Sequence, residues 1–146
     1  MIFNRRHFLK AMGALSATGA LHGCTLGNKA GGHVVVVGGG FGGATAAKYL
    51  RMWSNGGVEV TLVERNAHFI SCPISNLILS GDRTLADVTI GYEGLKKWGV
   101  RVVQDEVTGI DADKRKIRLA QGGEMSYDRL VLSPGVDFMF EEIPGL

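Results

Sequence analysis

Apolar residues along this chain fall into short unbroken runs separated by glycine-rich or polar breaks. His33–Val37 reads HVVVV, four consecutive valines with no polar face, which predicts a strand covered on both sides of a parallel sheet. After a glycine-rich break, Ala44–Trp53 predicts a helix, with small Ala47 on the side that leans on the sheet. Val58–Val63 predicts a second buried strand, and Arg65–Ser71 a loop. Pro73, within CPISNLILSG (residues 72–81), fits the first position of a short helix. Tyr92–Trp98 predicts a helix stopped by Gly99, followed by a strand over Val100–Gln104. From Val107 the pattern changes to short strands, Val107–Ile110 and Lys116–Leu119, joined by turns at Asp111–Lys114 and Gln121–Gly123. Leu130–Leu132 predicts a last buried strand, ending at Ser133-Pro134-Gly135. The order of elements predicts an α/β domain with a β-meander in place of its second crossover.

The first break carries the most chemistry. Gly38, Gly40 and Gly43 stand in GxGxxG spacing between a buried-type strand and a helix. In a Rossmann-like nucleotide-binding unit the first glycine permits the tight turn. The second lets backbone approach a pyrophosphate, and the third lets the helix pack close to the sheet. Glu64 ends the second strand, 21 residues past Gly43, where a carboxylate accepts hydrogen bonds from a ribose diol and repels a 2′-phosphate. The bland alternative is a glycine-rich turn that binds nothing; strand, loop, helix and acid in register favour the nucleotide.

A length of 146 residues with 45% hydrophobic content supports one domain with a real core but not a complete dinucleotide oxidoreductase. Sixteen basic residues face 14 acidic ones, and Arg5, Arg6 and Lys10 sit in the first ten positions. Without residues 1–23 the chain has 13 basic and 14 acidic residues, a net charge of −1, and nothing in so balanced a chain argues for a nucleic-acid partner; none is expected. MIFNRRHFLK, followed by the mildly apolar Ala11–Leu21, resembles a twin-arginine export signal. This predicts residues 1–31 as signal and linker, residues 32–146 as the nucleotide-binding part, and a periplasmic location. Leu21-His22-Gly23-Cys24 resembles a lipobox in which His22 replaces a small residue. Lipidation of Cys24, the one route to a membrane, and plain cleavage between Gly23 and Gly32 both remain open. No metal site is expected.

Taken in order, these pieces resemble the N-terminal half of the FAD domain in the two-dinucleotide-binding-domain flavoproteins. Within that superfamily the chain resembles the flavoprotein subunit of flavocytochrome c sulfide dehydrogenase, through VVVVGGGFGGATAAKYL, VEVTLVERN, SCPISNLILSGDR, GYEGLKKWGV, VTGIDADKRKI and YDRLVLSPG. The glycine motifs are common to the superfamily, whereas a cysteine followed by Ser75 and Asn76 is more specific. The resemblance implies FAD contacts at Gly38, Gly40, Phe41, Gly43, Glu64, Arg65, Cys72, Asn76, Val107, Ser133, Pro134 and Gly135. It also implies sulfide as substrate, a redox-active disulfide beside the flavin and a c-type cytochrome subunit as electron acceptor. Cys24 and Cys72 are the only cysteines and neither suits that pair, so no catalytic residue is assigned and the disulfide is expected beyond Leu146. The chain reads as the N-terminal part of a longer protein. The other readings are an exported quinone- or pyridine-nucleotide-linked FAD oxidoreductase and a non-catalytic flavin-binding remnant.

At the position of Cys72 the resemblance implies a thioether to the 8α-methyl of FAD, which requires a thiolate. Its place before Pro73 suggests a helix N-cap, where free N–H groups favour an anion, and His68 is a candidate base nearby. A small buried hydrophobe and a disulfide with Cys24 are the alternatives for Cys72, and a solvated or packing residue is the alternative for His68.

Overall fold

The computed structural model describes residues 31–136 and Gly145; the twin-arginine pair, Cys24 and the rest of the expected signal lie outside the described residues. Strand β1 (His33–Val37) leads through the glycine loop into helix α1 (Phe41–Trp53), which returns the chain to β2 (Glu59–Glu64). Next come β3 (Phe69–Ile70), α2 (Asn76–Leu79), a 3₁₀ turn over Leu85–Val88, β4 (Thr89–Ile90) and α3 (Glu93–Lys97). Strands β5 (Arg101–Gln104), β6 (Val107–Asp111), β7 (Lys116–Leu119), β8 (Glu124–Ser126) and β9 (Arg129–Leu132) complete the order. The main sheet is parallel and runs β5-β2-β1-β9, with β6-β7-β8 as a separate antiparallel meander. This is the Rossmann-like α/β arrangement, present in part.

The valine run works because consecutive side chains face opposite ways and both faces are covered. Val34 and Val36 pack with Val60, Leu62, Ala47, Tyr92 and Val100 on the helical face. Val35 turns to the other face, where Val63 and Ile117 meet it beneath the meander. Ile117 and Leu62 are fully buried, each contributing roughly 1.5–3 kcal/mol of burial free energy. Register follows from this alternation: Val36 pairs with Leu62 and Val35 with Thr61, and a one-residue slip would exchange the two faces.

His33 ties the meander to the sheet. Its Nδ1 lies 2.9 Å from the Ser126 carbonyl, which only accepts, so Nδ1–H is the donor. Nε2 is then left to accept the Thr61 hydroxyl at 2.8 Å. Asp105, a buried carboxylate, accepts the N–H groups of Glu106 and Gln121 at the mouth of the meander.

The structure corrects several of the sequence-based elements. Helix α1 begins at Phe41, not Ala44, because Gly42 and Gly43 are already helical. Strand β9 is not buried: it forms one edge of the described sheet, and Leu132 is exposed. Three strands were not predicted: β3 and β4, which pair antiparallel, and β8 on the meander edge. Strands of two or three residues are too short for a period to register.

Candidate functional site

The glycine loop sits at the C-terminal end of the parallel strands, where open α/β sheets bind ligands. Gly38 turns the chain with φ +95°, and its N–H donates to the Val63 carbonyl at 2.9 Å. A side chain at Gly38 would run into the Ser133 carbonyl and approach Pro134 Cα to 3.3 Å, because the segment after β9 crosses directly against it. That segment is pinned by the Ser133 N–H donating to Val37 at 2.8 Å. A side chain at Gly43 would run into the carbonyl of Gly38, so α1 leans directly on the loop.

Gly40 is different. Its backbone is ordinary extended chain (φ −69°), and an added methyl would meet nothing closer than the Phe69 ring at 3.5 Å. The fold itself therefore has room for a side chain at Gly40. Helix α1 begins at this point with no side-chain cap and no acidic residue in its first turn, leaving its first N–H groups and dipole available to an anion. The loop fits a pyrophosphate.

Glu64 stands beside it. Its Oε2 accepts the Gly39 N–H at 2.6 Å and its Oε1 the Asn66 N–H at 2.8 Å. An ionised carboxylate has roughly four acceptor positions, so capacity remains for a ribose diol. Beneath Gly39 lies Tyr92, only 7% exposed. Burial, and then the charge of Glu64, pushes its phenol up to about 12. Phe41 packs edge-on against Phe69 with centroids 4.8 Å apart. These rings border a largely apolar cleft of about 310 Å³ between α1 and α3, which Lys48, Leu95 and Trp98 also line.

The structure thus gathers Gly38, Gly40, Phe41, Gly43, Glu64, Ser133 and Pro134 around one loop. Val107 opens β6 two residues after Asp105, whose N–H donates to the Glu64 carbonyl at 3.1 Å. Arg65 is exposed just past β2, and Gly135 continues the β9 segment with φ +79°. Cys72 and Asn76 lie on the separate excursion between β3 and β4. The helix-cap argument for Cys72 is corrected: α2 begins only at Asn76, with Ser75 as its N-cap. Cys72 instead opens a turn in which its carbonyl accepts the Ser75 N–H at 3.0 Å. It is an exposed thiol, not a buried hydrophobe, and is free among the described residues; the alternative disulfide with Cys24 lies outside them. His68 is likewise exposed.

Two residues at the site escaped the sequence reading. Gly39 was hidden inside a run of three glycines, although its N–H reaches Glu64. Tyr92 was read only as the start of the helix Tyr92–Trp98; its flanking Gly91 was the available hint that an aromatic ring sat in a turn.

The sequence profile of the pyridine nucleotide-disulphide oxidoreductases matches residues 32–146, and that of twin-arginine translocation pathway signals matches residues 3–22. The mitochondrial sulfide:quinone oxidoreductase of Mus musculus is 35% identical over 114 residues, 77% of this chain and 25% of that one. The flavoprotein chain of sulfide dehydrogenase [flavocytochrome c] from Chlorobaculum thiosulfatiphilum is 58% identical over 45 residues, 31% of this chain and 92% of that sequence. Among solved structures, sulfide:quinone oxidoreductase from Aquifex aeolicus superposes with a TM-score of 0.65 at 28% identity, covering 74% of this chain and 25% of that one. The chain spans about a quarter of the length of the mouse and Aquifex relatives.

Proposed function

The chain belongs to the pyridine nucleotide-disulphide oxidoreductase family, and on that premise we propose that it is the FAD-binding part of an exported sulfide dehydrogenase that passes electrons to a c-type cytochrome. One geometric observation carries the cofactor reading: Gly40 has room on the protein side at an uncapped helix start, with Glu64 one glycine away. In this reading the first N–H groups of α1 bind the pyrophosphate and Glu64 accepts the ribose hydroxyls of the adenosine half. The negative charge of the Glu64 carboxylate disfavours a 2′-phosphate and so favours a nucleotide without one, as FAD is. Arg65 and Val107 flank the same end of the sheet, and Ser133, Pro134 and Gly135 line the opposite side of the cradle. Phe41 packs edge-on against Phe69 beside the loop.

Bound FAD would supply the exchange between a two-electron donor and a one-electron acceptor. Cys72, exposed on its turn, is the thiol available to anchor it through a thioether, and Asn76 follows one turn later. The identity with the Chlorobaculum flavoprotein chain supports sulfide as donor and cytochrome as acceptor. The twin-arginine signal supports a periplasmic location. A quinone acceptor is the second reading, favoured by the likeness to the mouse and Aquifex oxidoreductases.

The test is anaerobic spectroscopy on the full-length gene product. Sulfide should bleach the flavin absorbance, and oxidised c-type cytochrome should then restore it while becoming reduced. Restoration by a soluble quinone alone would replace the acceptor, and a flavin that sulfide leaves oxidised would overturn the donor.

A further inference from the structure

We propose that Tyr92 is a positioning residue for nucleotide binding: its ring supports Gly39 from below, and through the Gly39 N–H it fixes where the Glu64 carboxylate meets the ribose. This rests on the FAD reading of the same site and assigns a residue that the glycine motif does not contain.

Three contacts form the chain of support. Tyr92 is held among Val34, Val36, Val60 and Leu62 in the close-packed helical-face core, so its ring has little freedom to move. Gly39 lies directly against that ring: a methyl on its Cα would sit 2.5 Å from Oη and 2.8 Å from Cε1 and Cζ. The N–H of the same residue donates the 2.6 Å hydrogen bond to Glu64 Oε2, short as expected for a bond to an ionised acceptor. Gly39 is therefore clamped between an aromatic platform on one side and the ribose acceptor on the other. Without the platform the Gly39 peptide can sink into the vacated space, and the carboxylate loses its fixed direction. Glycine is required at Gly39 by Tyr92, whereas nothing in the fold requires it at Gly40.

Ring carbons Cε1 and Cζ form the platform together with Oη, which lies nearest, so Tyr92→Phe should retain most of it and Tyr92→Leu should not. The experiment uses the full-length gene product carrying Cys72→Ser, which makes flavin binding reversible, with its apoprotein titrated with FAD. Tyr92→Leu should weaken FAD binding about tenfold with Glu64 intact and less than twofold in a Glu64→Ala background. Tyr92→Phe should stay within twofold of the parent. If Tyr92→Leu does not fold, Gly39→Ala breaks the same contact from the loop side and should show the same dependence on Glu64. An equal loss in both backgrounds would mean general loosening of the core and would overturn the positioning role, as would unchanged affinity in both Tyr92→Leu and Gly39→Ala. A parent apoprotein that takes up no FAD would overturn the flavin reading itself and this role with it.

Discussion

The backbone N–H of Gly39 donates a 2.6 Å hydrogen bond to Oε2 of Glu64, joining the first turn of the glycine loop to the end of the neighbouring strand 25 residues later. This places two parts of a nucleotide site in one rigid unit. The loop offers N–H groups to a pyrophosphate while the carboxylate keeps acceptor capacity for a diol. The same bond brings negative charge near the buried phenol of Tyr92.

That proximity predicts a pH dependence. Tyr92 is held neutral up to about 12, first by burial and then by Glu64, whereas an unfolded tyrosine ionises near 10. Above pH ~10 the unfolded chain releases this proton and the folded chain keeps it, so rising pH favours unfolding. The contribution is complete below pH ~10 and is lost as pH climbs through about 12. Urea midpoints measured between pH 9 and 12 should fall more steeply for the parent than for Tyr92→Phe, and parallel curves would contradict the assignment.

Export depends on residues outside the described structure. Replacing both Arg5 and Arg6 by lysine keeps the charge but removes the guanidinium pair. The precursor should then remain in the cytoplasm with an intact flavin-binding domain. Cell fractionation decides it, and periplasmic accumulation at the parental level would refute a twin-arginine route.

Attachment of flavin to Cys72 is tested by mass. A thioether survives denaturation, whereas flavin held by hydrogen bonds and stacking leaves when the fold is lost. The denatured full-length protein, made with FAD available, should carry the mass of one flavin dinucleotide above the processed polypeptide, and Cys72→Ser should lack it. A yellow native protein whose denatured mass is the polypeptide alone would move Cys72 out of the attachment role.

The main sheet was legible in the sequence because its strands are long enough to show their burial: the valines of β1 and the run ending at Glu64 carry the pattern, and glycine spacing marks the loop between them. Other features were not legible. The two-residue strands β3 and β4 have no period. The short α2 starts three residues later than Pro73 suggested, so Cys72 lies on a turn and not at a helix cap. Leu130–Leu132 was apolar enough to predict burial, yet β9 is an edge among the described strands, a fact of topology that composition does not carry. Gly39 and Tyr92 were missed because their importance lies in a contact across 53 residues of chain, not in any local motif.

The central claim is that the loop around Gly40 holds the pyrophosphate of FAD, and flavin content of two glycine variants tests it most directly. Gly38→Ala forces a side chain into left-handed backbone, costing about 1–3 kcal/mol before its collision with Ser133, so it should lower the melting temperature and the flavin content together. Gly40→Ala places a methyl where the fold has room, so its apoprotein should melt within a few degrees of the parent apoprotein yet bind little or no FAD. A Gly40→Ala protein purified with one flavin per chain and parental stability would contradict the account.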